Sequence, residues 1–220
     1  MVGMSTAVVS PDVRSRLGAL AALVLAAAVF GLSALAVRPD QVALLEQSAF
    51  RAVNDVSWIS VAPVWVVMQL GSLLAIPAVA GVAALARRRG LAVRLAISGT
   101  LAYLLAPPVK DLLERGRPAA LLSDVVIRDA SEGFGFVSGH AAVAVAMAVA
   151  ALPFLGRRGR VVVLALAGAV GLARVYVGAH LPLDVVGGAA LGVLVGVAVS
   201  LVGDLLQPAV AAGRLRRHSR

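Results

Sequence analysis

The stretch VVGGAALGVLVGVAVSLVG, residues 185–203, contains 19 residues and no charged side chain. A membrane-spanning helix needs about 20 mostly apolar residues, so this stretch predicts a span. Five earlier stretches are similarly apolar, at residues 17–37, 64–86, 90–109, 136–156 and 161–179, and the last three are interrupted only by Arg94, His140 and Arg174, respectively. We therefore expect an all-α fold: a single domain over residues 1–220, built as a bundle of six transmembrane helices.

The composition of the whole chain agrees with this class. Hydrophobic residues make up 60% of the 220 residues, another 22 are Gly, and charged residues reach only 14%. A soluble domain has about 45–50% apolar residues by the same count. Too few polar side chains remain to cover a water-soluble globule, which argues against a soluble enzyme and against disorder. The absence of cysteine excludes disulfides, thiolate chemistry and cysteine metal sites.

A short amphipathic helix is predicted between spans 1 and 2, at residues 41–54. Val42, Leu45, Ala49 and Val53 recur there at spacings of three and four, which is typical of a helix lying on a membrane surface. The longest polar connection, residues 110–132, follows span 3 and is the natural place for a site.

The basic residues predict the orientation. One side of the six spans would carry 13 of them against only Asp12 and Asp204, while the other side would carry 7 basic and 9 acidic residues. The 13 are Arg14, Arg16, Arg87, Arg88, Arg89, Arg94, Arg157, Arg158, Arg160, Arg214, Arg216, Arg217 and Arg220. Because cytoplasmic loops are rich in Lys and Arg, we expect an integral plasma membrane protein with both termini cytoplasmic. The net charge of +9 then reflects topology and anionic lipids, and no nucleic-acid partner is expected.

A cleaved signal peptide is the alternative for span 1, since Ala-Leu-Ala at residues 34–36 could suit a peptidase. Its uncharged core of 21 residues is longer than the usual ~7–15 of a signal peptide, so a retained span is favoured.

Six ionisable residues lie at the predicted extracytoplasmic edge of the spans, although they come from three separate segments. They are Lys110, Arg117, His140, Arg174, His180 and Asp184. Ionisable groups at such positions are costly and usually functional. Lys110 and Arg117 would share a helical face if span 3 continued to residue 117. A snorkelling role for these two cations, and a structural Arg174–Asp184 ion pair, are the alternatives.

This set suits phosphoryl transfer without a metal. Three cations can hold the oxygens of a phosphate, while one imidazole attacks and the other protonates the leaving oxygen. Asp184, four residues after His180, could fix the tautomer of that imidazole. Ser138 and the Gly139 amide come just before His140 at a predicted helix start, where amides point toward an anion.

Three motifs carry a family resemblance. KDLLERGRP at residues 110–118 resembles the first signature of the type 2 phosphatidic acid phosphatase superfamily, which is Lys, six residues, Arg-Pro. Ser138-Gly139-His140 is similar to the second signature, Pro-Ser-Gly-His. RVYVGAHLPLD at residues 174–184 is similar to the third, which is Ser-Arg, five residues, His, three residues, Asp. The motifs occur in family order within residues 90–203.

The resemblance implies a six-helix membrane phosphatase with its site at the outer membrane face. By that analogy His180 is the nucleophile that forms a phosphohistidine, Asp184 orients it, and His140 is the general acid. The phosphate-binding residues would be Lys110, Arg117, Ser138, Gly139 and Arg174. No metal and no cofactor are implied.

Two positions depart from the family pattern. Val137 stands where the family has Pro, and Ala173 stands where it has Ser. The hydroxyl missing at residue 173 corresponds to one hydrogen bond, about 0.5–1.5 kcal/mol. Neither change removes a charged or nucleophilic group, so we expect activity.

The expected function is hydrolysis of a phosphate or diphosphate monoester of a membrane lipid, with a polyprenyl diphosphate as the best candidate from the resemblance. The expected partners are this lipid and the bilayer, and no obligatory protein partner is inferred. A lipid phosphotransferase with the same site is one alternative, and a transporter of phosphate-bearing lipids is another. The vanadium haloperoxidases of the superfamily are soluble, which this chain is not.

Other polar and small residues receive structural interpretations. Asp111, Glu114 and Arg115 are expected to form a solvated helical face, and the charges at residues 128–132 to lie in a loop, with Arg128 as a possible contact to a second phosphate. Glycines at residues 188, 192 and 196 predict close packing inside one bundle rather than a dimer face.

Overall fold

The computed structural model describes residues 11–218, with side chains described for residues 16–206. Every regular element in that part of the chain is helical, so the all-α prediction is confirmed there. The α-helices are α1 (Pro11–Ala36), α2 (Leu44–Asn54), α3 (Val61–Met68), α4 (Ala75–Leu85), α5 (Arg89–Leu113), α6 (Pro118–Leu121), α7 (Gly139–Ala151), α8 (Arg157–Tyr176) and α9 (Pro182–His218).

Four helices, α1, α5, α8 and α9, are long and apolar enough to cross a membrane. The pair Val61–Gly71 and Ala75–Leu85 passes the same test together, but its two parts are bent by 73°. The predicted span at residues 64–86 is therefore broken rather than straight. Gly139–Phe154, which contains α7, is apolar but shorter. These helices make the chain an integral membrane protein, with four or five candidate spans by length and composition among the described residues.

α7 occupies the centre of the bundle and packs against α5, α8 and α9. Nine of its 13 residues are buried, and most of them are alanines. Such small side chains let the neighbouring helices approach closely, which is the usual way that membrane helices gain packing contacts.

Three glycines of α9 make the closest of these approaches. A methyl group on any of them would lie 2.4–2.8 Å from a backbone carbonyl oxygen of α7 or of Ser138, the residue before it, closer than real Cβ atoms come. They are Gly188, Gly192 and Gly196. The stripe therefore packs within the bundle, as predicted.

The helix predicted at residues 41–54 is present as α2, which begins at Leu44, and its polar side packs on the bundle. Leu45 is 84% exposed, whereas Glu46, Phe50 and Asn54 are buried against the bundle. α2 packs on α8 and α9 through this side. Polar partners inside the bundle, described below, bind Glu46 and Asn54. The position of α2 on a membrane surface stays a prediction, for which the exposed Leu45 would be the lipid-facing side.

Charged residues also lie at the end of the bundle where α5 begins. Arg94 of α5 forms an ion pair with Asp204 of α9 and stacks on Phe154, with its guanidinium carbon 5.1 Å from the ring centre. The turns that carry Arg87–Arg89 and Arg157–Arg158 adjoin this end. Of the 13 basic residues assigned to the cytoplasmic side, five have side chains outside the described residues: Arg14, Arg214, Arg216, Arg217 and Arg220.

Candidate active site

The first motif lies where α5 ends. Lys110 is in the last turn of α5, and Glu114 adopts a left-handed conformation with φ 46° that terminates the helix. The predicted helical face shared by Lys110 and Arg117 is therefore wrong. Arg117 is instead extended, as expected for a residue before proline, and precedes the short helix α6. This turn brings the Arg117 guanidinium back toward Lys110.

The second motif begins α7. Ser138 is the residue before the helix and Gly139 is its first residue, as predicted. The Ser138 amide donates to the Asp184 carbonyl oxygen at 2.8 Å, which ties the start of α7 to the start of α9. Gly71, just before the break between α3 and α4, packs on the His140 backbone, where a methyl group would lie 2.4 Å from the carbonyl oxygen.

The third motif spans the turn between α8 and α9. Arg174 lies in the last turn of α8, His180 in the turn itself, and Asp184 in the first turn of α9. Because α9 begins only at Pro182, His180 and Asp184 do not share a helix. The Asp184 carboxylate instead accepts the Leu181 amide at 2.9 Å and lies 3.5 Å from Nδ1 of His180.

The three motifs meet around one cavity of about 320 Å³. Six of the eight predicted site residues line it: Lys110, Arg117, Gly139, His140, Arg174 and His180. The other two, Ser138 and Asp184, are fully buried behind its wall. The Ser138 hydroxyl has no hydrogen-bond partner among the described residues. The broken span also contributes to the wall through Gly71 and Leu73.

All three cavity cations donate to the same segment, residues 129–134. Arg174 binds a carboxylate oxygen of Asp129 at 3.0 Å and the Ser131 hydroxyl at 2.9 Å. Arg117 donates to the carbonyl oxygens of residues 132 and 133, and also to that of residue 179. Lys110 donates to the carbonyl oxygen of residue 134 at 3.1 Å. The cations thus point at oxygen atoms, the kind of acceptor that a phosphate also offers.

Burial lowers the pKa of the His180 imidazole to about 3, although the neighbouring Asp184 carboxylate acts in the opposite direction. The side chain is only 2% exposed. The resting imidazole is therefore neutral at physiological pH, which is the form that can act as a nucleophile.

The structural pair considered from the sequence, Arg174 with Asp184, is not formed. Arg174 pairs with Asp129 at 3.0 Å, whereas Asp184 pairs with Arg115 at 2.8 Å. The expectation that Arg115 belongs to a solvated face is also wrong, since its side chain is 1% exposed. A guanidinium with carboxylate partners can be buried where an unpaired one cannot.

Arg128 is not available to a second phosphate. It does not line the cavity. Its guanidinium donates to three backbone carbonyl oxygens, at residues 54, 56 and 176, and lies 4.1 Å from the centre of the Tyr176 ring. Asn54 holds the same loop by donating to the carbonyl oxygens of residues 126 and 176. These two residues fasten α2 to the loop and to α8.

Sequence reasoning did not find Glu46, Arg115 and Asp129. The spacing of Glu46, Phe50 and Asn54, each four residues apart, was a signal that these residues share a helical face. That face carries a charge, an aromatic ring and an amide, so a pattern of apolar residues indicates the other face.

Among the described side chains, no group of three His, Cys, Asp or Glu could hold a metal ion. The expectation of no metal stays a prediction.

The part of the chain that carries the three motifs matches a known protein family. The sequence model of the PAP2 superfamily matches residues 91–206. No curated protein matches the chain. LpxE of Aquifex aeolicus has a similar solved structure, with a TM-score of 0.68 and 25% identity, covering 74% of this chain and 98% of its own.

A second solved structure is a transmembrane PAP2 type phosphatidylglycerolphosphate phosphatase from Bacillus subtilis. It matches with a TM-score of 0.68 and 22% identity, covering 84% of this chain and 97% of its own. At that identity the likeness concerns the fold. The family match extends over more than half of the chain and includes all three motifs, and the chain therefore belongs to the PAP2 superfamily, as the motifs predicted.

Proposed function

We propose that this protein is a metal-independent lipid phosphate phosphatase that works through a phosphohistidine on His180. The observation that carries the proposal is the convergence of three cations and two imidazoles from distant segments on one cavity. Membership of the PAP2 superfamily supports the enzyme class, a hydrolase of lipid phosphates. The phosphatase from Bacillus subtilis with a similar fold agrees with it.

In the proposed binding step, the phosphate takes the place of oxygens that now accept hydrogen bonds from the cations. Two arginines offer planar pairs of N–H groups and Lys110 offers a point charge, which together suit the peripheral oxygens of a phosphoryl group. The amide of Gly139, at the start of α7, adds a donor from a helix N-terminus. Ser138 is proposed as a further ligand, which requires its buried hydroxyl to turn toward the cavity.

In the proposed chemical step, Nε2 of His180 attacks phosphorus and the P–O bond to the lipid breaks. His140 gives a proton to the leaving oxygen, so that the lipid departs as an alcohol or a monophosphate. His140 then takes a proton from water, whose oxygen attacks the phosphohistidine and releases inorganic phosphate. Asp184 holds Nδ1 of His180 and stabilises the positive charge that develops on the ring.

The proposed membrane arrangement has six spans, with the apolar helix α7 as one of them and the broken pair α3–α4 as another. Both termini would be cytoplasmic and the cavity extracytoplasmic, in the plasma membrane. The distribution of basic residues supports this orientation. α2 would lie at the outer surface, with its exposed Leu44 and Leu45 toward lipid.

The proposed substrate is a polyprenyl diphosphate. The cavity residues are suited to bind a phosphoryl group, and lipid monophosphates carry one too. Phosphatidic acid and phosphatidylglycerol phosphate are therefore the competing substrates in the test. The bilayer and the lipid are the only partners that the proposal needs.

The deciding experiment incubates the full-length protein, purified in detergent, with polyprenyl diphosphates and glycerolipid phosphates in the presence of EDTA. We expect release of inorganic phosphate, complete loss of turnover in His180→Ala, and trapping of phosphate on His180 after acid-free quenching. Absence of phosphate release from every lipid by folded wild-type protein would contradict the proposal. A phosphorylated acceptor in the product mass spectrum would identify a phosphotransferase instead.

A translocation arm tests the transporter alternative, because the break between α3 and α4 is a feature that such proteins also use. Labelled lipid phosphate is reconstituted into liposomes with the wild type and with His140→Ala. Lipid movement across the bilayer that is insensitive to this substitution, without phosphate release, would favour transport.

A further inference from the structure

A buried network of charges lies directly behind the proposed nucleophile. The Arg115 guanidinium donates to both carboxylate oxygens of Glu46, at 3.1 and 2.6 Å, and to Oδ1 of Asp184 at 2.8 Å. The three side chains are 1%, 6% and 0% exposed. Charge-assisted hydrogen bonds of this length at such burial hold the groups in fixed positions.

Arg115 determines which oxygen of Asp184 faces His180. It occupies Oδ1, while Oδ2 accepts the Leu181 amide at 2.9 Å and lies opposite Nδ1 of His180. A carboxylate held at both oxygens cannot rotate away from the imidazole. Arg115 therefore holds in place the carboxylate that lies 3.5 Å from Nδ1 of the proposed nucleophile.

Glu46 fastens the same network to a different element. Besides binding Arg115, its Oε1 accepts the amide of Leu183 at 2.9 Å, in the first turn of α9. α2 thereby fixes both the guanidinium and the backbone that carries Asp184. No other charged side chain among the described residues shares these bonds.

The charges of the network sum to one negative charge beside His180. Glu46 and Asp184 contribute two negative charges and Arg115 one positive charge. Without Glu46 the remaining pair would be neutral, and a positive charge developing on the imidazole would lose its compensation. Without Arg115 two carboxylates would face each other in a buried site, which is strongly unfavourable.

We propose that Arg115 and Glu46 are positioning residues for the reaction: they orient Asp184 and retain one net negative charge behind the His180 ring. The proposal rests on the proposed function, in which His180 is the nucleophile. Both residues act through Asp184 and neither lines the cavity.

The primary test is Glu46→Gln, which keeps the shape and removes the charge. We expect kcat for lipid phosphate to fall about 10- to 100-fold, the range typical of partners that orient an active-site ligand, with KM changed less than about threefold. Glu46→Asp, which restores the charge, should recover part of kcat. Arg115→Ala leaves two buried carboxylates unpaired and endangers folding, so it is a secondary variant.

The matched control is Asp204→Asn, which removes the carboxylate from the ion pair with Arg94 at the opposite end. It should leave kcat and KM unchanged. If Glu46→Gln lowers thermal stability but leaves kcat at the wild-type value, the network is only structural and the proposal is overturned.

A binding arm separates this proposal from the proposed function. Orthovanadate can accept an imidazole nitrogen as a fifth ligand, whereas inorganic phosphate at equilibrium binds through the cations alone. In titration calorimetry we expect Glu46→Gln to weaken vanadate about tenfold and to leave phosphate unchanged. If the wild type releases no phosphate from any lipid but Glu46→Gln still weakens vanadate selectively, the proposed substrate class is refuted and the positioning role is kept.

Two other outcomes would overturn the positioning role. The first is equal vanadate affinity in Glu46→Gln and the wild type. The second is a wild type that binds neither oxyanion, which would overturn the proposed function as well.

Discussion

At one end of the bundle Arg160 donates to two backbone carbonyl oxygens after α7, at 3.0 and 2.9 Å, and at the other end Arg117 donates to three around the cavity. The local chemistry is the same: a guanidinium satisfies carbonyl groups of a loop. The surroundings differ. Arg160 contacts the loop after α7, whereas Arg117 lines a cavity together with Lys110, Arg174 and two imidazoles.

The buried ion pairs of the two ends differ in a similar way. Arg94 is buried but its partner Asp204 is 62% exposed, so the pair remains in contact with its surroundings. Arg115 is enclosed between two buried carboxylates. The comparison teaches that neither residue type nor burial marks the site. What marks it is that several charged groups from different segments surround one volume.

The largest expected effect concerns the two loop-binding arginines. Arg117→Ala should lower kcat about 10²- to 10³-fold, because it removes a donor to the charge that develops on the phosphoryl oxygens. Arg160→Ala, which removes a similar set of carbonyl contacts, should leave kcat unchanged. Phosphate release from the best lipid of the panel measures both. Equal losses in the two variants would show that Arg117 only holds its loop.

The second prediction uses the glycines of α9 at two depths. Gly188→Ala places a methyl group 2.4 Å from the carbonyl oxygen of Ser138, just before α7, and Gly196→Ala places one 2.8 Å from a carbonyl oxygen of α7, so each should cost about 1–3 kcal/mol of stability. Only Gly188 lies against Ser138, so only its variant should also lose activity.

The control for this pair is Gly168→Ala on α8, where a methyl group meets nothing within 4 Å. It should be neutral or slightly stabilising, since alanine is the better helix former. Thermal unfolding in detergent and the phosphate-release assay measure all three variants. Equal activity losses at residues 188 and 196 would show that the whole α7–α9 contact, rather than its site end, controls the reaction.

The smallest expected effect is on the pH dependence of stability. Burial lowers the pKa of folded His180 to about 3 from an ordinary value of 6.5, so the unfolded chain binds the proton first as the pH falls. Stability is therefore complete above about pH 6.5 and declines toward pH 3, by at most about 1.4 kcal/mol per pH unit. Unfolding of the wild type and of His180→Asn between pH 7 and 5 measures the difference. Parallel pH curves would contradict a buried neutral imidazole.

Much of the fold could be predicted because apolar length and charge placement are local properties. Each of the six predicted stretches contains helix in the structure. The break at residues 72–74 could not be predicted from local apolar length, and it follows Gly71, whose close contact with the His140 backbone joins residues distant in sequence. The same holds for the end of α5, which Glu114 terminates in a conformation that its residue type does not dictate.

The cavity-lining residues could be predicted because cations and imidazoles at a membrane edge are costly without a role. Their partners could not. Arg115 sits two residues from Arg117 in the same motif, and only the turn after α5 sends one side chain to the cavity and the other into the bundle. Asp129 resembles any loop carboxylate until the fold places it 3.0 Å from Arg174.

One consequence follows from α2, where Leu45 is 84% exposed and the next residue, Glu46, is buried. The outward face of this helix carries an exposed leucine, and its inward face carries the carboxylate that binds Arg115. With α2 at the membrane surface, as proposed, lipid composition, headgroup packing or the choice of detergent would act on a helix that is only two side chains away from the proposed nucleophile, His180. Turnover measured in micelles and in native-like nanodiscs should be compared before any rate constant is assigned to the protein itself.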